Sequence, residues 1–272
     1  VTATATPPPF EVRLPASEPV PVLVSIPHAG VAMPEAVMAT LAGPAMAALP
    51  MTDWHLHELY DFLPGLGITT IHAVYSRFVV DLNRGPKSAP LYPGRFETGL
   101  VPLETFQGEA VFREPPDPGE IERRRQLYHA PYHAELLRRL MDLRRRFGHA
   151  VLIDAHSVAS AANRLHEALT DDIYLGDRDG LSCGDWLRDA LAEGFGRQGL
   201  SVAINHPYKG GFITDHYGRL EDVEAIQIEM CQRVYMDEGQ PSDALAHPRF
   251  ETTRRLLRDV FAGLLQHPAR LG

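Results

Sequence analysis

Short apolar runs rich in β-branched residues recur along this chain, and each breaks off at polar, turn-forming residues. The first, Pro21-Val-Leu-Val-Ser-Ile26, gives way at once to Pro27-His28-Ala29-Gly30, the pattern of a buried strand that runs into a loop. The same pattern returns at 68–75, 78–82, 150–155, 201–205 and 225–230. Helical stretches lie between them at 54–62, 120–147 and 186–197, the second with apolar residues at helical spacing and Arg-rich outer faces. Strands alternating with helices predict an α/β layered sheet. Ligands of such sheets gather at the carboxyl ends of parallel strands, where loops converge on one crevice. The polar residues at strand ends therefore matter most.

Residues 1–9 alternate Thr, Ala and Pro and are expected to form a loose tail, with 10–272 as one domain. Residues 85–119, crowded with Pro, Gly and Glu and without a period, are expected to leave the sheet as a long excursion that serves as a lid or binding wall. Lys and Arg total 26 against 35 Asp and Glu, a formal charge of −9, so the surface repels nucleic acid and anionic lipid. A local basic pocket would still select a small anion. No apolar run is long enough to cross a bilayer. Cys183 and Cys231 are the only cysteines; two thiols make no disulfide framework and fit a reducing cytoplasm.

His28 and His156 each follow an apolar run, so two imidazoles are expected at comparable ends of neighbouring strands, where they suit zinc. Either imidazole alone would equally serve to bond backbone in a tight turn. A catalytic zinc often takes two His and one carboxylate and leaves a position for water. Asp53 is the preferred third ligand, with Glu35, Asp61 and His55 in reserve; Thr52 or Asp53 would also serve as a helix cap. Asp154, two residues before His156, shares its face of the strand and is placed to hold a ligand imidazole from behind. Glu229 ends an apolar strand, where burial without a task is costly; it would move the proton that amide hydrolysis requires, or else pair with a buried Arg. Arg77, Asn83 and Arg84 flank a short run that also holds Asp81. Arginine with a neighbouring Asn matches a carboxylate, though Asp81 is expected to pair with one of the arginines. Lys209-Gly-Gly-Phe-Ile-Thr214 offers a cation and a hydroxyl beside two glycines, suited to an anion but without the spacing of a P-loop.

Four blocks, Ser25-Ile-Pro-His-Ala-Gly30, Ser76-Arg-Phe-Val-Val-Asp-Leu-Asn-Arg84, Leu152-Ile-Asp-Ala-His-Ser157 and Lys209-Gly-Gly-Phe-Ile-Thr214, resemble the signature of N-formylglutamate amidohydrolases over about residues 22–237. Separated blocks in one order are more specific than any single motif. The resemblance implies hydrolysis of N-formyl-L-glutamate to glutamate and formate in histidine degradation. It also implies kinship with zinc carboxypeptidases and aspartate and succinylglutamate deacylases, hence a three-layer fold with a mixed, mostly parallel sheet flanked by helices. Their metal His and Glu in H-x-x-E, later metal His, Asn-Arg carboxylate grip and strand-end Glu map onto His28, His156, Asn83 with Arg84, and Glu229. Val31 stands where H-x-x-E needs Glu, which is why Asp53 is preferred.

These residues imply one Zn2+ per chain on His28, Asp53 and His156, Glu229 as base, Arg77 at the oxyanion, Asn83 and Arg84 on the α-carboxylate, and Lys209 with Thr214 toward the side-chain carboxylate of a small anionic N-acyl amino acid. Removal of another acyl group, or carboxypeptidase-like trimming, is the alternative chemistry. A non-catalytic sensor of acidic amino acid derivatives is the alternative class. Oligomeric state is left open.

Overall fold

Five of the six expected strands are present, in a computed structural model, as β2 (Val22–Ile26), β3 (Thr69–Ala73), β4 (Ala150–Val158), β6 (Val202–Ile204) and β7 (Val223–Cys231), joined by β1 (Phe10–Arg13) and β5 (Ile173–Gly176). The structure describes residues 6–86 and 97–267; residues 1–5 of the expected tail and 87–96 of the expected excursion lie outside the described residues. Of the tail, Pro7 accepts a hydrogen bond from the Tyr75 hydroxyl at 2.9 Å and Pro9 one from the Val74 amide.

The seven strands form one sheet in the order β1-β3-β2-β4-β7-β5-β6. Its centre, β3-β2-β4-β7, is parallel, whereas β1 and β5 run antiparallel to β3 and β7. The central strands are continuous apolar runs because both faces are covered. One face of β2, β4 and β7 packs on α6 (Asp185–Arg197) and α8 (Pro248–Leu265) through Leu187, Leu191, Phe195, Leu257 and Phe261. The opposite face packs on α5 (Ala130–Phe147) and α7 (Phe212–Tyr217) through Tyr132, Leu136, Leu140, Ile213 and Tyr217. The result is a three-layer α/β fold. Three one-turn helices, α1 (Glu35–Met38), α2 (Pro44–Ala47) and α3 (Leu56–Leu59), lie between β2 and β3.

The helix expected at 120–147 starts at α4 (Pro118–Arg124), where the Asp117 carboxylate accepts from the Glu120 amide and caps it. It then passes through a π turn at Arg125–His129 into α5. Only the one-turn α3 stands where a helix was expected at 54–62, and a 3-10 turn follows at Leu63–Leu66. The run 78–82 forms no strand, contrary to expectation. Its apolar side chains are explained by burial on two sides: Phe78 and Val79 enter one cluster, Val80 and Leu82 another.

Candidate active site

The face of the sheet that meets α5 and α7 changes character toward the carboxyl ends of its strands. Leu23, Leu152 and Ala225 are apolar, but the next row is Ser25, Asp154 and Gln227, and beyond it stand His156 and Glu229 as register partners. Period two puts all of these on one side of the pleat. The helices cover the apolar part, and the polar rows open into a cavity of about 1010 Å³ lined by His28, Asp53, Arg77, His156 and Glu229.

His28 reaches this cavity because β2 ends two residues earlier in a tight loop. A Cβ on Gly30 would lie 2.3 Å from the Tyr75 carbonyl, so only glycine lets the loop pack this closely. The Asp53 amide donates to the His28 carbonyl at 3.1 Å and locks the two segments together. Neither Thr52 nor Asp53 caps α3; its N-cap position is His55, which makes no capping bond. Val31 is 53% exposed, so a carboxylate in its place would face solvent, and Asp53 supplies one from the next segment instead.

Three atoms converge. His28 Nδ1 and His156 Nδ1 are 3.1 Å apart, and Asp53 Oδ2 lies 3.2 Å from His156 Nδ1 and 3.9 Å from His28 Nδ1. Ligands held tetrahedrally about 2.0–2.1 Å from zinc sit roughly 3.3 Å from one another, so this donor set fits such an ion. The far ring nitrogens are held by other carboxylates: His28 Nε2 is 2.7 Å from Asp81 Oδ1, and His156 Nε2 is 3.1 Å from Asp154 Oδ2. Donation from Nε2 to these acceptors leaves both Nδ1 lone pairs facing each other and Asp53, an arrangement that is repulsive until a cation or proton sits between them. Electrostatics point the same way. Burial alone would lower His156, but Asp154, Asp53 and Glu229 carry it well above the usual imidazole value. Burial and the Arg77 charge push His28 down.

Asp81 is fully buried and joins the metal candidates to the arginine. One oxygen accepts from His28 and from the Asn83 amide at 2.9 Å; the other accepts from Arg77 Nη2 at 2.6 Å. Burial would raise this carboxyl, yet Arg77 and His28 hold it well below the usual range. The segment bearing Asp81 is irregular because side chains bind its carbonyls where a strand neighbour would. Arg124 donates to Phe78 and Val79, His133 Nε2 to Leu82 at 2.8 Å, and His129 Nε2 to Arg84 at 2.9 Å. The π turn makes this possible. Five residues of α-helix would separate Arg124 and His129 by about 140°, whereas the wider π turn brings both to one side.

Glu229 is buried and accepts from Gln227 Nε2 at 3.0 Å. Burial, with help from Asp53 and against His156 and Arg77, pushes it up to about 8. The site thus offers a three-ligand cation cradle, a poised carboxyl and a buried guanidinium on one wall.

The family model for N-formylglutamate amidohydrolase matches residues 20–236. The chain belongs to this family. It is 41% identical to an N-formylglutamate deformylase of Pseudomonas putida, over 89% of this chain and 92% of that one. A Pseudomonas aeruginosa protein of the same name is 42% identical over 90% and 93%. The crystal structure of N-formylglutamate amidohydrolase from Ralstonia eutropha JMP134 superposes with a TM-score of 0.80 at 28% identity, covering 95% of this chain and 96% of that one.

In this family member the remaining sequence candidates divide. Asn83 and Arg84 line the cavity, but Asn83 is also a structural joint: its Nδ2 lies 3.0 Å from Asp154 Oδ2 and 2.9 Å from His156 Nε2, and its Oδ1 accepts from the Ile213 amide. A Cβ on Gly211 would overlap the Asn83 carboxamide, so this position requires glycine. Arg84 donates Nε to the Thr98 carbonyl and Nη1 to that of Asn83. Lys209 lines the cavity and pairs with Asp179 at 2.7 Å. Thr214 is buried behind Asp154, 3.4 Å from Oδ2. Of the reserve ligands, Asp61 pairs with Arg254, His55 with Glu58, and Glu35 is exposed on α1; none joins the triad. The sequence reading missed Gln227, which accepts from the Gly211 amide while donating to Glu229; its period-two relation to Glu229 was the available signal. It also missed Gln232 and Tyr235. They donate to the Thr52 and Trp54 carbonyls on either side of Asp53, at 3.0 and 2.8 Å.

Proposed function

We propose that this chain hydrolyses N-formyl-L-glutamate to L-glutamate and formate, using a zinc ion held by His28, Asp53 and His156, as a step of histidine degradation in the cytoplasm. The observation that carries the reading is the convergence of two Nδ1 atoms and one carboxylate oxygen at 3.1–3.9 Å, with each far ring nitrogen tied to another carboxylate. The name shared by the Pseudomonas relatives supports the substrate. One domain, 10–272, would carry the whole site. No helix among the described residues is long and apolar enough to cross a membrane.

When bound, the metal would supply Lewis acidity that acidifies a water and polarises the formyl carbonyl, and its charge would draw Glu229 back toward ionisation. Glu229 takes the proton from the attacking water. The water oxygen bonds to the formyl carbon, the C–N bond breaks, and Glu229 returns the proton to the leaving amine nitrogen. Arg77, held by Asp81 and stacked over Phe106 at 5.2 Å, donates to the developing oxyanion. Arg84 beside Asn83 holds the α-carboxylate and Lys209 the outer one, all three lining the cavity, while Thr214, buried behind Asp154, steadies the site from behind.

Formate release from N-formyl-L-glutamate, measured before chelation, after it and after zinc is restored, tests the reading; release that ignores chelation sinks the metal role. Glu229→Gln is expected to lose turnover and keep metal. A cavity of about 1010 Å³ lies at the upper end for small-molecule sites, which favours a second reading in which larger acyl groups are accepted. Comparison of kcat/KM for formyl, acetyl and succinyl glutamate separates the two.

A further inference from the structure

The loop that follows β6 brings an aromatic side chain to the cavity, and among the described residues nothing binds its buried hydroxyl. Tyr208 lines the cavity, and its hydroxyl is sealed from solvent without a hydrogen-bond partner. Buried polar atoms are nearly always paired, so an orphan in a ligand cavity calls for an explanation. The ring itself is well held. It makes edge contacts with Tyr174 and His166, at centroid distances of 6.0 and 5.6 Å, and packs against the cluster of Val158, Leu169 and Cys231. The loop is pinned on both sides of Tyr208: the Asn205 amide donates to Leu175, the Arg178 amide to Lys209, and the Gly211 amide to Gln227 Oε1. A phenol held by its ring in this way meets a ligand once the side chains that cover its hydroxyl give way.

Its position selects the ligand atom. Tyr174, on which the ring leans, is the register partner of Glu229. Burial and the nearby charges of Glu229 and Asp53 hold the phenol well above its ordinary value, so the group keeps its proton and serves as a donor. Ionised as its role of base requires, Glu229 disfavours a substrate carboxylate beside it; a neutral acyl oxygen, charged only as the reaction proceeds, is disfavoured less. We propose that Tyr208 is a substrate-contacting residue whose hydroxyl donates a hydrogen bond to the oxygen of the scissile acyl group. This rests on the hydrolytic reading above.

The test is Tyr208→Phe in the metal-loaded, full-length protein, with steady-state kinetics on N-formyl-L-glutamate, metal content and thermal unfolding measured together. The substitution removes no hydrogen bond among the described residues, so Tm is expected to stay level or rise. Meanwhile kcat is expected to fall roughly 100- to 1000-fold, the scale of losing one donor to an oxyanion, with KM changed less than about threefold. An unchanged kcat overturns the proposal while wild-type turnover leaves the hydrolytic reading intact. A lowered Tm with lowered metal content overturns it in favour of a structural role, and a raised KM at constant kcat overturns the acyl-oxygen contact. A wild type that does not cleave N-formyl-L-glutamate overturns the hydrolytic reading and the Tyr208 contact with it.

Discussion

Replacing Asp81 by Asn keeps the side chain's shape and removes its charge, which isolates what that charge does. Asp81 receives three donors: His28 Nε2 at 2.7 Å and the Asn83 amide at 2.9 Å on one oxygen, and Arg77 Nη2 at 2.6 Å on the other. An amide has one acceptor oxygen and cannot satisfy both sides. With its oxygen toward His28, its NH2 faces the Arg77 guanidinium, donor against donor. Arg77 then stays buried with only a 3.5 Å contact to the Met51 carbonyl and an Nε that already lacks a partner. With the amide flipped, its NH2 faces His28 Nε2 and favours the tautomer that carries the proton on Nδ1, the atom needed for the metal. Breaking a buried ion pair from one side costs about 3–5 kcal/mol, a Tm loss of roughly 10 °C in a chain of this size. Loss of the carboxylate behind a ligand imidazole costs about 10- to 100-fold in metal affinity or activity. Asp81→Asn is therefore expected to show both effects, read by competition titration against a chromogenic chelator and by differential scanning fluorimetry. A variant with wild-type zinc affinity and wild-type turnover would refute the assignment of Asp81 as the group that fixes the His28 tautomer.

Three further outcomes follow from the same geometry. Gly211→Ala would drive its methyl into the Asn83 carboxamide and loosen the contact with His156; overpacking costs about 1–3 kcal/mol, and the variant is expected to lose metal affinity as well as stability, whereas a loss of stability alone would count against Asn83 as a joint. His133 is pushed down to about 3, chiefly by burial, so from about pH 6.5 down to about 3 the unfolded chain binds a proton that the folded one refuses. Stability then falls as pH falls through that window, by at most about 1.4 kcal/mol per pH unit; His133→Asn is expected to flatten the denaturation profile relative to wild type between pH 6 and 4, and parallel profiles would disprove it. Removing the metal is expected to lower Tm, and restoring zinc to raise it with the logarithm of the zinc concentration, a dependence that His156→Ala should abolish.

Much of the parallel core and half of the site were legible because they depend on local rules. An apolar run that ends in Pro-His-Ala-Gly is a strand meeting a loop, and two positions along a strand share a face, so His28, Asp154, His156 and Glu229 fall where the pattern puts them. The run 78–82 misled for a reason equally physical: apolarity reports burial, and burial on two sides looks the same in sequence whether the backbone bonds go to a strand or to side chains. Here they go to Arg124, His129 and His133, residues about fifty positions away whose shared direction depends on a π turn that no composition reveals. The candidate ligand Asp53 was separable from Glu35, Asp61 and His55 only in three dimensions, since what distinguishes it is the donation of its amide to the His28 carbonyl and the grip of Gln232 and Tyr235 on its neighbours. Those two come from the far end of β7, nearly 180 residues on. Of the chemistry-bearing groups, His156 and Glu229 sit on regular strands and His28 two residues past one, where sequence can place them, while Asp53, Arg77 and most of the groups that aim them lie on irregular segments held by side-chain bonds of long sequence separation. Substitutions of the aiming groups should change metal affinity and pH profile before they abolish the fold, because the sheet that carries His156 and Glu229 does not depend on them.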